Sequence, residues 1–299
     1  MNVDIEILKI VNFINEYIQD DEVVVIPISG GIDSDVTVRL CYKALGKERI
    51  KLFIIKDDLE KKFMDNARKL AEELKVPLTE ISLEGKSLEL MQILEKSEKD
   101  DIFHANSVLE LGKAKCAYRS AIISCYQDKG YVIAGCTNKT EYELGFFVTF
   151  GDNLANFKPI QHLYKHEVME LAKVLGTDQQ VISQPPTAGF WEGQEDLEDI
   201  AYWIVNRGPI LRKREFSKEE IKRAESIKKK LNWKNIDTCL LWISKNKNIE
   251  EITNITNIPK EIVEDIAEVV KKAKKYKNRE ILVSIEKKFM NYFKNMELD

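Results

Sequence analysis

A turn with the sequence Ser-Gly-Gly-Ile-Asp-Ser, at residues 29–34, is the feature that most restricts what this chain can fold into. It follows an apolar run at residues 23–26, which is typical of a buried strand, and it precedes a helical pattern that ends near Leu45. Adjacent glycines let the backbone approach an anion closely. The amides of such a turn and of a helix N-terminus attract negative charge. The sequence therefore predicts a strand, an anion-binding turn and a helix, in that order.

The turn is not the Gly-x-x-x-x-Gly-Lys-Ser/Thr loop that cradles a transferred γ-phosphate. It is similar to the loop of the ATP pyrophosphatases, which bind the pyrophosphate of ATP and promote attack at the α-phosphorus. Asp33 adds a carboxylate that can hold a divalent metal ion against phosphates. Taken alone, the turn leaves a second interpretation open, namely an ordinary glycine turn that caps a helix.

Apolar residues recur with strand and helix periodicities along the first 175 residues. The predicted strands are 23–28, 50–55, 78–83 and 131–134, and the predicted helices are 3–19, 34–45, 59–75, 86–98, 107–127 and 164–175. This alternation predicts an α/β fold with a doubly wound parallel sheet. The turn and a second motif block, which begins at Gly135, both follow predicted strands. They would thus lie at the carboxyl edge of the sheet, where open α/β folds bind ligands.

The second motif block extends over residues 135–194. It contains Gly-Cys-Thr-Asn-Lys-Thr-Glu at 135–141, Gly-Phe-Phe at 145–147, Leu-Tyr-Lys at 163–165 and Pro-Thr-Ala-Gly-Phe-Trp-Glu-Gly-Gln at 186–194. Together with the turn, this order resembles the ammonia-dependent NAD synthetases, a Rossmann-like family of the adenine-nucleotide α-hydrolase type. The resemblance reaches nearly the whole chain. It implies an ATP-dependent amide-forming ligase, in which a carboxylate attacks the α-phosphate, pyrophosphate leaves, and ammonia converts the acyl-adenylate to an amide.

The resemblance also assigns roles to individual residues, with ATP and Mg²⁺ as the cofactors. Asp33 and Lys165 would be catalytic, and Asp33 and Glu141 would ligate the metal ion. ATP would be bound by Ile28, Ser29, Gly30, Gly31, Asp33, Ser34, Cys136, Lys165 and Thr187. Residues 185–208 are expected to be loop-like, and their first part would cover the site as a lid.

On the substrate side the chain departs from the family pattern. The corresponding acid-binding positions are Ala117, Arg119, Thr149, Asn156 and Lys277. Ala117 stands where the family has an arginine, Thr149 where it has a lysine, and Asn156 where it has an aspartate. Lost charge-assisted contacts weaken the binding of a charged acid. We therefore expect a divergent paralogue that activates a carboxylate other than deamido-NAD. The alternative is a genuine ammonia-dependent NAD synthetase with compensating contacts.

Two hypotheses from other classes remain to be weighed. A non-catalytic nucleotide sensor would keep the turn, but it would not need two metal-binding carboxylates and Lys165. A sulfur- or RNA-modifying ATP pyrophosphatase would be expected to have a basic catalytic part and a cysteine pair at the site. Here the acidic residues outnumber the basic ones over residues 1–210, and only Cys136 lies in a site motif.

Charge and length suggest how the chain is organised. Residues 1–208 are expected to form the catalytic domain, and residues 209–299 a helical C-terminal region with a basic insertion at about 210–232. The net charge is −4, yet residues 211–299 carry 22 Lys and Arg against 15 Asp and Glu. Because these basic residues alternate with acidic ones in helical patterns, a solvated helix surface is a better interpretation than a nucleic-acid contact.

The expected partners follow from the same observations. They are a small-molecule carboxylate and ammonia, which would be free or come from a separate glutaminase. The family builds its dinucleotide site across a two-fold interface, so a homodimer is expected. No run approaches the roughly 20 apolar residues that cross a membrane, and no apolar signal segment is present at the N-terminus. A cytoplasmic location is expected.

Overall fold

The computed structural model describes residues 1–56, 61–148, 151, 154–190, 193–210 and 214–277, with side chains through residue 274. Within these residues the strands are β1 (Val24–Pro27), β2 (Ile50–Lys56), β3 (Leu78–Ser82) and β4 (Val132–Ile133). They pair in parallel in the order β3-β2-β1-β4. The chain runs outward from β1 to β3 and then returns to the other side of β1. The strand order therefore reverses between β1 and β4, and a crevice at such a point is a usual ligand site.

The helices in chain order are α1 (Val3–Tyr17), α2 (Ile32–Leu45), α3 (Lys61–Leu74), α4 (Lys86–Ser97), α5 (Val108–Gln127), α6 (Lys139–Leu144), α7 (Lys165–Leu175), α8 (Gln179–Ser183), α9 (Asp196–Val205), α10 (Lys218–Lys228), α11 (Trp233–Ser244), α12 (Ile249–Thr256) and α13 (Lys260–Lys277). A single 3-10 turn, Lys47–Arg49, precedes β2. In the described part of the chain, no helix is long and apolar enough to cross a membrane.

Both faces of the sheet are covered, because apolar side chains alternate along buried strands. Val24 and Ile26 of β1 belong to one core, which α1, α2, α3 and α7 complete. Val25 points to the opposite face and packs with Phe53 and with Ile123 of α5. The predicted doubly wound parallel sheet is confirmed, as are its four strands and the six helices predicted for residues 3–175.

A second core joins the C-terminal helices to the part of the chain that contains the sheet. Buried residues of α9, α10, α11, α12 and α13 pack around Leu144 at the end of α6 and Tyr164 just before α7. The predicted helical C-terminal region is therefore present. This core includes α9, which precedes residue 208. The domain boundary at 208 and the insertion at about 210–232 stay predictions.

The loop predicted for residues 185–208 is wrong in its second half. Residues 196–205 form α9, whose apolar face is buried at Ile200, Ala201, Ile204 and Val205. The acidic residues of this stretch suggested a loop, but three of them lie in the first turn of the helix. Negative charge is favourable there because the helix dipole is positive at that end.

Candidate active site

The turn after β1 is held by its own hydroxyl groups. The Ser34 hydroxyl donates to the carbonyl oxygen of Gly31 at 2.9 Å, and the amide of Gly31 donates to Ser29 Oγ at 3.3 Å. Gly30 has φ +76°, and a Cβ atom at this position would lie 2.1 Å from the carbonyl oxygen of Phe63. Gly31 is the N-cap residue of α2 and has no side chain to satisfy the first helical amides. The turn thus presents backbone donors to an anion, as its sequence predicted.

Lys165, the first residue of α7, brings a buried positive charge to this turn. Its side chain is only 2 % exposed, and Nζ forms an ion pair with Asp33 Oδ2. The other carboxylate oxygen of Asp33 accepts from Asn138 Nδ2 at 3.0 Å. Burial alone would lower the pKa of Lys165, but the carboxylates of Asp33, Glu141 and Asp196 outweigh burial and raise this pKa above its ordinary value. The lysine is therefore charged at neutral pH.

Glu141 lies one turn into the short helix α6, opposite Asp33. It forms a capping box with Asn138, because Glu141 Oε2 accepts from the backbone amide of Asn138 at 3.2 Å. Burial of its carboxyl group and the nearby charge of Asp33 raise the pKa of Glu141 well above its usual value. Two carboxylates that repel each other at a phosphate-binding turn are the donor set that suits Mg²⁺, which binds one or two carboxylates together with phosphate oxygens. Asp33 and Glu141 could hold such an ion.

A buried carboxylate of α11 fixes the start of α6 and of α7. Asp237 is fully buried, and it accepts hydrogen bonds from Thr140 Oγ1 at 2.5 Å and from the backbone amide of His166 at 2.9 Å. Thr140 Oγ1 in turn accepts from the backbone amide of Lys165 at 2.9 Å. Thr140 and His166 are the chain neighbours of Glu141 and Lys165. Asp237 therefore ties together the backbone segments that carry two of the predicted site residues.

These groups surround a cavity of about 210 Å³ at the carboxyl ends of β1 and β4. The predicted residues that line it are Ile28, Ser29, Gly31, Asp33, Ser34, Arg119, Cys136, Glu141, Lys165 and Thr187. Gly30 lies in the same turn and contributes its backbone conformation. Cys136 donates its thiol to the carbonyl oxygen of Pro27 at 3.7 Å, and burial raises the pKa of that thiol to about 12. Cys136 is therefore a neutral wall residue.

Two of the remaining predicted acid-binding residues, Ala117 and Asn156, do not line this cavity. Ala117 is exposed on α5, and Asn156 is exposed after β4. The side-chain oxygen of Asn156 accepts from the backbone amide of Ile133 at 2.9 Å and from Gln127 Nε2 at 3.0 Å. Thr149 and the side chain of Lys277 lie outside the described residues. The roles of these four residues in substrate binding stay predictions.

The predicted lid closes one side of the cavity. Pro185, Pro186, Thr187, Ala188, Gly189 and Phe190 all contribute to its lining. The ring of Phe190 sits directly on Gly112 of α5, where a Cβ atom would be 2.3 Å from the ring. The backbone amide of Asp196 donates to the carbonyl oxygen of Pro186 at 2.9 Å. The segment is thus anchored on α5 at one point and on α9 at another.

Asp196 is a site residue that the sequence analysis missed. It is the first residue of α9, it is 6 % exposed, and it lines the cavity. Burial raises the pKa of Asp196 to about 6, and the charges of Lys165 and Asp33 are close enough to act on it. Its Oδ1 atom is buried without a hydrogen-bond partner. The sequence would have pointed to Asp196 only if the start of a helix at residue 196, directly after the lid, had been recognised.

A second cavity of about 450 Å³ adjoins the first. Its walls include the aromatic side chains of Phe147, Tyr202, Trp203 and Phe216. Both cavities are lined by Phe146, Ala188 and Phe190. A ligand longer than ATP could therefore extend from one cavity into the other.

Comparison with known proteins agrees with this geometry. The family model of NAD synthase matches residues 6–232. The NH₃-dependent NAD⁺ synthetase of Methanocaldococcus jannaschii is 31 % identical over 270 residues, which cover 88 % of this chain and 90 % of that protein. The NH₃-dependent NAD⁺ synthetase of Pyrococcus horikoshii is also 31 % identical, over 89 % of this chain and 90 % of that protein.

Solved structures share the fold at lower identity. The NMN synthetase of Francisella tularensis superposes with a TM-score of 0.60 at 24 % identity, over 77 % of this chain and 94 % of that one. The NAD⁺ synthetase of Burkholderia pseudomallei gives a TM-score of 0.59 at 19 % identity, over 92 % of this chain and 89 % of that one. The resemblance that the motifs of the turn and of residues 135–194 suggested is thereby confirmed, and the chain belongs to the NAD synthase family.

Proposed function

We propose that this protein is an ammonia-dependent NAD⁺ synthetase. It would adenylate the carboxylate of deamido-NAD with ATP, release pyrophosphate, and let ammonia displace AMP to form the amide. Its family makes the chain an ATP-dependent carbon–nitrogen ligase that yields AMP and pyrophosphate. The observation that carries the proposal is the convergence of Asp33, Glu141 and Lys165 in one cavity beside an anion-binding turn.

Each part of this cavity suits one requirement of adenylation. The backbone amides of residues 29–34 and the N-terminus of α2 would bind the phosphates of ATP. Asp33 and Glu141 would hold Mg²⁺ against those phosphates, and the ion would supply Lewis-acid stabilisation of the phosphate charge. Lys165 would neutralise the negative charge that moves onto the leaving pyrophosphate. Its ion pair with Asp33 holds Nζ beside the turn.

The motif residues and the similar proteins favour different acid substrates. Ala117, Thr149 and Asn156 led us to expect a carboxylate other than deamido-NAD. The relatives support the alternative, because NH₃-dependent NAD⁺ synthetases from two archaea match this chain over about nine-tenths of their own length. The adjoining aromatic cavity also offers room for the remainder of a dinucleotide. We therefore favour deamido-NAD as the acid and retain the paralogue hypothesis only as an outcome of the test.

The decisive experiment measures NAD⁺ formation from deamido-NAD, ATP, Mg²⁺ and ammonium chloride. A genuine synthetase should reach kcat/KM of about 10⁴ M⁻¹s⁻¹ or more for deamido-NAD, the lower end of the usual enzyme range. Pyrophosphate release with nicotinate nucleotides other than deamido-NAD, or with unrelated carboxylates, would be assayed in parallel. Efficient release with another acid and none with deamido-NAD would establish the paralogue instead.

Asp33→Asn tests the site assignment within the same assay. The amide keeps the hydrogen bond to Asn138 but removes the charge that would bind the metal ion and pair with Lys165, so pyrophosphate release should fall at least about 100-fold. Asp65→Asn, an exposed aspartate of α3, is the matched control and should retain full turnover. Wild-type turnover in Asp33→Asn would refute the site. A nucleotide sensor would bind ATP but release no pyrophosphate with any acid.

A further inference from the structure

Asp196 is a buried carboxylate in the same cavity, and the proposed adenylation assigns it no role. Only 6 % of the residue is exposed, and its Oδ1 atom lies buried in the cavity wall with no hydrogen-bond partner. A buried acceptor that is left unpaired costs stability, so such an atom calls for an explanation, and a bound ion or water is one of them. The backbone amide of Ala188 is close enough to favour the charged carboxylate, and Oδ1 has no hydrogen-bond partner.

The chemistry of the cavity limits what that ligand can be. Lys165 supplies one positive charge against the three carboxylates of Asp33, Glu141 and Asp196. ATP adds further negative charge, so a second cation beside Asp196 would favour its binding. Among the described residues, no three acidic, histidine or cysteine side chains converge as a metal-binding group. Asp196 is therefore not a third ligand of the pair that would hold Mg²⁺, although its charge acts on both members of that pair. A small monovalent cation with N–H donors satisfies both the charge of Asp196 and the unpaired Oδ1 acceptor.

We propose that Asp196 forms the binding site for ammonium, the protonated form in which ammonia mostly enters at neutral pH. The inference rests on the proposed function, which makes ammonia the second substrate. Asp196 begins α9 directly after the lid, and its backbone amide is bonded to Pro186 of the lid at 2.9 Å. The site is therefore completed by the same segment that covers the nucleotide. Ammonium bound there lies within the cavity that would hold the acyl-adenylate. After one proton is lost to solvent, the ammonia nitrogen forms the C–N bond, the C–O bond to AMP breaks, and a second N–H proton leaves to solvent.

Asp196→Asn is the variant that tests this site. Asparagine keeps an oxygen for the amide of Ala188 and keeps the size of the side chain, but it removes the charge and places a donor in the pocket. The KM for ammonium should rise at least about tenfold, while the KM values for ATP and deamido-NAD stay within about twofold, because one charge-assisted hydrogen bond is lost. Glu195→Gln, at the preceding exposed residue that pairs with Lys228, is the control and should leave all three KM values unchanged.

A measurement on the wild-type enzyme covers the case in which the variant fails to fold. Rubidium ions are close to ammonium in size but cannot form an amide, so rubidium chloride should compete with ammonium, whereas sodium chloride at equal ionic strength should not. If all three KM values rose equally in Asp196→Asn, Asp196 would only anchor the lid, and the inference would be overturned. An unchanged KM for ammonium, or no competition by rubidium, would also overturn it. An inactive wild-type enzyme would refute the proposed function itself, which separates the two failures.

Discussion

Replacing Asp237 with alanine should destabilise the protein far more than a typical substitution. The carboxylate has no exposed surface and accepts three hydrogen bonds, from Thr140 Oγ1 at 2.5 Å, from the backbone amide of His166 at 2.9 Å and from His166 Nδ1 at 2.8 Å. Alanine would leave all three donors without an acceptor in the interior. Because α11 makes these contacts with α6 and α7, the loss would fall on the junction between the C-terminal helices and the catalytic part.

The size of the effect can be worked from these three bonds. Each buried donor that loses its partner costs about 1–3 kcal/mol. Removing one member of a buried charged pair costs about 3–5 kcal/mol in total, since water and local shifts recover part of the sum. We expect the free energy of unfolding to fall by about 3–5 kcal/mol in Asp237→Ala. Asp237→Asn keeps one acceptor oxygen, and we expect about half of that loss.

Urea unfolding followed by circular dichroism gives the measurement, with the slope of the transition checked for constancy. Glu250→Gln is the matched control, because Glu250 is 81 % exposed and lies 3.9 Å from Lys260. That control should change the free energy of unfolding by less than about 0.5 kcal/mol. A loss below about 1 kcal/mol in Asp237→Ala would refute the reasoning, since the three donors would then have found other partners at little cost.

Three further predictions concern the turn, a histidine and the assembly. Gly30→Ala should abolish ATP binding measured by calorimetry and lower the melting temperature, because its Cβ atom would lie 2.1 Å from the carbonyl oxygen of Phe63 at φ +76°. The hydrogen bond that the His166 ring donates to Asp237 raises the pKa of His166 above its ordinary value of 6.5. The stability that this contributes should be complete below pH 6.5 and be lost as the pH rises through the raised pKa, so His166→Gln should flatten the decline in urea midpoint across that range. The chain should sediment as a homodimer at micromolar concentration, and a monomer would contradict the expected two-fold arrangement.

Sequence patterns predicted the sheet and the nucleotide side of the site because both depend on local order. The turn at 29–34 needs glycine at a positive φ and a strand before it. Both requirements are met by residues that are adjacent in the chain, so they can be recognised in the sequence. Parallel strands place the motifs that follow β1 and β4 side by side, so Asp33 and Glu141 line the same cavity although they are far apart in the sequence. Lys165 was found because it sits in a motif of its own.

Asp33 and Asn138 are 105 positions apart in the sequence and are joined by a 3.0 Å hydrogen bond. Asn138 caps the helix that carries Glu141. Residues that are distant in the chain therefore meet because β1 and β4 are neighbours in the sheet.

Asp196 and Asp237 could not be predicted in the same way. Asp237 acts through bonds to Thr140 and His166, and its sequence surroundings in α11 contain no motif that would mark it. Asp196 belongs to a stretch whose acidic residues suggested a loop, whereas burial of Ile200 and Ile204 against the C-terminal helices makes it a helix. Both residues depend on packing between segments far apart in the chain, which local periodicity does not record.

The hydrogen bonds of Asn156 show that its difference from the family pattern is weak evidence for a different substrate. Its side-chain oxygen is occupied by the amide of Ile133 in β4 and by Gln127 of α5. An aspartate would accept the same two hydrogen bonds. The fold therefore needs an acceptor oxygen at this position, and it does not need the negative charge. The exchange leaves a side-chain N–H donor where the family has a second acceptor. The exchange of aspartate for Asn156 therefore alters one outward-facing hydrogen-bonding atom and keeps the structural role of the side chain. It is weaker evidence for a different substrate than the lost charge alone suggested.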